Sequence, residues 1–295
     1  DYDGRPIFGI SCPDFVSLIK EISDDIEIIP AHCMTSFFGL YGSKSGFDSL
    51  KECFKNQTRH IYAIESGMSA DPSMLWRLKE KVTIVSFSDA HSFHPWRLGR
   101  EATVFDIPEL SYNSIIQAIR TGDGLHSTIE TPPEYGKYHY DGHRNCGIFL
   151  EPEQTKKLEG ICPRCGNPLT IGVDYRIEEL AQEPSGYVPE KSKPFVRVVP
   201  LHEIISAVFD IKQLTSKRIN DTYHLLIKHF GTEFYVLLDA SLSDLVSIVP
   251  EKLAQAILKN REGSLKIIPG YDGVYGKIQL EENEKIVTQK KLSQF

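Results

Sequence analysis

The stretch VTIVSFSDAHSFHPWRLGRE, residues 82–101, decides how the first half of this chain is read. Its opening is short, apolar and β-branched, as a buried strand is. An aspartate and a histidine, Asp89 and His91, follow at the carboxyl end, and then a loop with His94, Trp96, Arg97 and Arg100. Residues two apart on an extended segment share a face, so Asp89 and His91 are expected to point the same way with Ala90 turned aside.

The same arrangement recurs upstream. IEIIPAH reads as a strand ending in His32, and HIYAIESG as one ending in Glu65. Between and after them, DFVSLIKEIS, GFDSLKECFKN, PSMLWRLKE and SYNSIIQAIRTG have helical spacing, the last with Gly122 as its C-terminal cap. Alternating strands and helices predict βα units around a parallel sheet or barrel. In α/β barrels the site is built at the carboxyl ends of the strands. His32, Glu65, Asp89 and His91 are therefore expected to converge as ligands of a divalent cation. Mixed imidazole and carboxylate donors suit Zn²⁺, Mn²⁺ or Fe²⁺ better than Mg²⁺, which prefers oxygen.

The 295 residues are 41% apolar, enough for a large core, and the net charge of −7 disfavours bulk attraction to nucleic acid without excluding a local basic cleft. No apolar run approaches the ~20 residues of a membrane span. No signal-peptide pattern opens the chain, and the expectation is a soluble cytoplasmic protein. The first residues, DYDGRPIFGIS, carry no initiator Met, which fits a piece of a longer protein.

Three of the six cysteines, Cys12, Cys33 and Cys53, sit among apolar neighbours and read as buried free thiols. The other three cluster. CPRCG supplies Cys162 and Cys165, and HRNC supplies His143 and Cys146. Two pairs of this spacing suit tetrahedral Zn²⁺ with one nitrogen and three sulfur ligands. His139 is an alternative nitrogen donor with looser spacing. A redox role for the Cys-x-x-Cys pair would need a thioredoxin-like βαβ context, which the sequence does not provide. Four protein ligands make a closed, structural site.

A Pro-, Gly- and Tyr-rich stretch at about Pro132–Tyr135 marks an expected boundary. Three units are expected: 1–132 with the strand-end donors, 133–193 with the zinc cluster, and a C-terminal α+β region over 194–295. That last region has helical LHEIISAVF and VPEKLAQAILKNREG, the apolar FYVLLDAS, and the strand-turn LKIIPGYDGVYGKIQL.

The segments IIPAH, GSKSGFDSL, AIESGMSADPSMLWRL, SFSDAHS and LGREATVFD together resemble the PHP (polymerase and histidinol phosphatase) metallophosphoesterases. DGHRNCG, CPRCGNPLTIGV and IIPGYDGVYGKI narrow the resemblance to the endonuclease Q branch, often labelled UvrD-helicase-related. The resemblance implies an α/β fold with a PHP-type (βα) barrel, incomplete at its N-terminus, followed by a zinc ribbon. It implies a DNA repair endonuclease that cuts 5′ of deaminated bases (uracil, hypoxanthine, xanthine) or abasic sites. The implied partners are such DNA and, further, replication or repair factors. The implied cofactors are a structural Zn²⁺ and catalytic Zn²⁺, Mn²⁺ or Mg²⁺. Carried over by motif, His32, Glu65, Asp89 and His91 are metal ligands, with Asp89 and His91 as catalytic residues. His143, Cys146, Cys162 and Cys165 hold zinc. The family's His-x-His motif and the early ligands that follow it have no counterpart here.

Lys44, Arg97 and Arg100 are candidate phosphate contacts. Phe37, Phe38, Tyr41 and Trp96 are unranked candidates for a base pocket or for the core, and Tyr187 and Phe195 are expected to pack. Two further readings stay open: a phosphoesterase for a small phosphate ester, and a non-catalytic zinc-stabilised DNA-binding fragment.

Overall fold

In a computed structural model of the chain, residues 8–44 and 46–280 are described. Ser45 of the Gly42–Phe47 stretch and the end of the expected C-terminal region lie outside them.

Helix α1 (Cys12–Ile22) starts where the Ser11 hydroxyl accepts the Asp14 amide and Pro13 occupies the first turn. The chain then runs extended toward His32. It was read as a strand, but Pro30 has no N–H to give and His32 takes φ +35°, so no regular ladder forms. The segment still borders the sheet: the Glu65 amide donates to Pro30 O (3.0 Å) and the Cys33 amide to Glu65 O (2.9 Å). Helix α2 (Leu50–Phe54) is capped by Ser49 and gives way to a 3₁₀ turn at Lys55–His60. Strand β1 (Ala63–Glu65), helix α3 (Pro72–Leu75, capped by Asp71) and strand β2 (Thr83–Val85) follow. β1 and β2 pair in parallel, with Glu65 opposite Val85.

Strand β3 (Ala102–Phe105), helix α4 (Tyr112–Thr121) and strand β4 (Leu125–Glu130) come next. Gly122 closes α4 at φ +75°, as read from the sequence. The next stretch holds β5 (Asp141–His143), β6 (Ile148–Leu150), α5 (Pro152–Lys157) and α6 (Val173–Leu180). Then β7 (Phe195–Arg197) returns and pairs in parallel with β4, completing the sheet β3–β4–β7. Elements on either side of the zinc-cluster stretch thus share one sheet. Among the described residues the remaining sheets have two strands each, and no closed barrel forms.

Helices α7 (Leu201–Phe209), α8 (Lys217–Phe230), α9 (Glu233–Leu238), α10 (Leu242–Ile248) and α11 (Glu251–Arg261) precede the hairpin of β8 (Lys266–Ile268) and β9 (Lys277–Gln279). The FYVLL of FYVLLDAS is helical in α9, where Thr232 caps it and Val236 and Leu237 are buried. Ile204, Ile205, Leu226 and Leu253 are fully buried there, each worth about 1.5–3 kcal/mol. Among the described residues no helix is long and apolar enough to cross a membrane.

Candidate metal centres and their surroundings

The zinc-type cluster is built by two tight turns. His143 ends β5, and a 3₁₀ turn (Arg144–Cys146) closed by Gly147 at φ +65° brings Cys146 beside it. Across from them the Cys162 amide donates to Asn167 O (2.8 Å) and the Gly166 amide to Cys162 O (2.9 Å), folding Cys162 and Cys165 into a knuckle. Donor atoms of His143, Cys146, Cys162 and Cys165 all lie within 4.8 Å of one another, and Cys165 Sγ is 3.2 Å from His143 Nδ1. The Asn167 amide pulls the Cys165 thiol down, whereas desolvation and the neighbouring thiols push Cys146 up to about 11. Three thiols this close cannot all ionise without a cation among them. The donor set therefore fits a soft, four-coordinate metal. His139 is outside the group, buried and stacked on Tyr140.

The strand-end donors assemble differently. They form two pairs, and among the described residues they do not make up a ligand group as compact as the sulfur cluster. In the first pair, the Glu65 carboxylate accepts the His32 amide with one oxygen and the Phe87 amide (3.4 Å) with the other. Burial pushes the Glu65 pKa up, the more so because Asp89's charge is near. His32 Nδ1 is buried without a hydrogen-bond partner. In the second pair, His91 Nδ1 lies 3.8 Å from Asp89 Oδ1, and both side chains are exposed. The segment is not extended as read from the sequence. Asp89 takes φ +43°, and a turn brings His91 Nδ1 to 2.8 Å from Asp89 O.

Sequence reasoning missed what lies behind these donors. Glu130 is fully buried and accepts from Ser66 Oγ and Ser86 Oγ, both at 2.9 Å. Ser66 directly follows β1 and Ser86 directly follows β2, so one carboxylate ties the two strand ends together. Burial pushes Glu130 up to about 7. Glu101, also buried, accepts the Thr131 amide (3.0 Å), and its pKa is raised well above the carboxylate range by burial and then by Glu130. The β3–β4 register brings Glu101 beside Glu130, and no local pattern announces it.

Of the expected phosphate contacts, Lys44 is exposed. The Arg100 guanidinium is turned inward, donating to Ser88 O (2.9 Å) and Asp89 O (3.5 Å), and so holds the turn that carries Asp89. Arg97 is 4.0 Å from Glu203 of α7. Tyr41 is buried core, and Trp96 is 7% exposed. Phe37 packs edge-on against Tyr138, and Phe38 is exposed. Trp96 belongs to a chain of ring contacts: His94 stacks on it at 4.3 Å and 7°, His202 of α7 meets it tilted at 4.6 Å, and Tyr223 of α8 lies 4.0 Å from His202. Phe195 meets Trp76 edge-on.

A mixed α/β chain with a closed Cys/His cluster and acidic and histidine donors at strand ends is thus defined. Residues 200–264 match the family model described as the MJ0043 C-terminal domain. A Methanocaldococcus jannaschii protein, described as uncharacterized protein MJ0043, is 32% identical over 273 residues, covering 88% of this chain and 34% of that protein. YqxK of Bacillus subtilis is 31% identical over 270 residues, covering 90% of this chain and 64% of that protein. The chain thus spans less than two thirds of either relative. Among solved structures, the lesion-specific endonuclease PfuEndoQ from Pyrococcus furiosus superposes with a TM-score of 0.83 at 32% identity, covering 99% of this chain and 71% of that one. Endonuclease Q in complex with a 27-mer duplex, an abasic lesion at its active site, gives the same TM-score and identity over 95% and 69%. The chain belongs to the endonuclease Q family.

Proposed function

We propose that this chain is part of a metal-dependent DNA repair endonuclease that hydrolyses the phosphodiester 5′ of a deaminated base or an abasic site. The observation that carries the reading is the likeness to PfuEndoQ along 99% of the chain at 32% identity. The abasic duplex held by endonuclease Q supports the substrate class. A PHP-type (βα) barrel incomplete at its N-terminus, the three-unit division at about 132 and 193, and the cytoplasmic setting are parts of the same proposal.

In this reading His143, Cys146, Cys162 and Cys165 hold zinc. His32, Glu65, Asp89 and His91 hold divalent cations, Zn²⁺, Mn²⁺ or Mg²⁺. The buried, unpartnered His32 Nδ1 fits that use. A cation there would draw charge from the phosphoryl oxygens and make water more acidic. The reaction adds water oxygen to phosphorus, breaks one P–O ester bond, and protonates the departing sugar oxygen. Glu65 holds the His32 and Phe87 backbones in register, and Arg100 fixes the Asp89 turn. The Asp89 and His91 side chains are exposed on that turn, which leaves them open to a phosphodiester.

The test uses the natural full-length protein with end-labelled duplexes carrying uracil, hypoxanthine or an abasic site, and Mg²⁺ or Mn²⁺. A single nick on the 5′ side of the lesion, absent from undamaged duplex, is expected. Loss of the base without strand scission, or no lesion-dependent nick, contradicts the reading.

A further inference from the structure

We propose that Phe93 is a stacking platform for the nucleobase flanking the lesion, which rests on the DNA-cleavage reading above and deepens it. The ring lies two residues past His91, on the turn that carries Asp89, and is 82% exposed. An exposed phenylalanine is by itself ordinary. What sets this one apart is its support. Phe93 meets His94 at 4.7 Å and 33°, and His94 lies almost parallel on Trp96, which is backed by His202 and Tyr223. The ladder runs from fully buried His202 to a ring with its outer side open.

A ring held in this way loses little freedom when a flat partner lands on it, so the stacking energy is not consumed in ordering it. Nucleobases are the flat partners that the family's DNA supplies, and a base next to an abasic gap has a vacated face. Phe38 is equally exposed but has no ring contact among the described residues. Phe37 is half taken up by its T-shaped contact with Tyr138 at 5.4 Å. Phe93 offers a π-face and no hydrogen-bonding group, so contact should tolerate any base, with purines held more strongly than pyrimidines.

The experiment is fluorescence of 2-aminopurine placed beside an abasic site in duplex DNA, titrated with full-length protein, Phe93→Ala and Phe93→Tyr, without catalytic metal. Wild type and Phe93→Tyr should change the probe signal alike. Phe93→Ala should lose that change and bind roughly 10-fold more weakly, from stacking of order 1–3 kcal/mol per base. Zinc content and melting temperature should match wild type, because the ring is on the surface. Phe93→Ala with wild-type affinity and wild-type probe signal overturns this proposal and leaves the cleavage reading intact. Failure of the wild type itself to bind the lesion duplex overturns both.

Discussion

The zinc-type knuckle and the strand-end site each gather four metal-ligand side chains, three thiols and an imidazole in one, two imidazoles and two carboxylates in the other, and reach very different geometries. In the knuckle, four donors fall within 4.8 Å of one another because two turns of a few residues fix each pair. At the strand ends, the donors come from three stretches spanning residues 32 to 91 and meet as His32 with Glu65 and Asp89 with His91. Local spacing is enough to build the first. The second depends on sheet register, on Glu130 tying Ser66 to Ser86, and on Arg100 gripping the Asp89 turn. A site assembled over long range is adjustable by residues far from its donors, and the knuckle is not.

The largest effect expected from breaking this contrast is at the knuckle. Cys162→Ser removes a buried ligand whose metal, in small zinc modules, contributes about 10–16 kcal/mol of apparent binding energy. Wild type should hold one zinc per chain by mass spectrometry. The variant should hold none, and hydrogen exchange should show the β5–β6 hairpin and the knuckle open. Full zinc content in Cys162→Ser would break the comparison.

The next effect lies behind the strand ends and depends on pH. Glu130 titrates near 7 in the folded chain and near 4.5 unfolded, so the folded state binds its proton more tightly. Its contribution is complete below about pH 4.5 and is lost as pH rises through 7, about 3 kcal/mol in all. Glu130→Gln should flatten the fall in melting temperature between pH 5 and 8. An unchanged slope would remove Glu130 from the account.

His202 has the opposite sign and a smaller effect. Burial pushes this imidazole down to about 4, so stability is complete above about pH 6.5 and is lost as pH falls toward 4. At pH 5 the loss is about 2 kcal/mol. His202→Phe keeps a ring between Trp96 and Tyr223 and removes the acid penalty, so relative to pH 7 it should be more stable at pH 5 than wild type is. Equal acid sensitivity in both proteins would contradict the burial argument.

These effects also mark what the sequence could and could not tell. His143, Cys146, Cys162 and Cys165 were legible because a two-residue spacer fixes a turn wherever it occurs. Gly122 as a cap and the helices α7 and α11 were legible for the same local reason. Two of the three strands, at HIYAIESG and VTIVSFS, were placed correctly but read too long, with three residues each in β1 and β2, whereas IEIIPAH forms no ladder because Pro30 and the positive φ of His32 break it. Asp89 was assigned an extended backbone, and its positive φ comes from tertiary contacts with Arg100. Glu101, Glu130 and the ladder through His202 depend on pairings across thirty residues or more, or on a helix a hundred residues away, which no spacing encodes.

The account rests most directly on Asp89. Incision and binding of one abasic duplex should be measured side by side for the natural full-length protein and its Asp89→Asn variant with Mn²⁺ present. Wild type is predicted to nick once, 5′ of the lesion, while the variant binds the duplex equally well and cuts ~100-fold more slowly or not at all. Incision by Asp89→Asn at the wild-type rate would contradict the claim that the strand-end donors hold the catalytic cation.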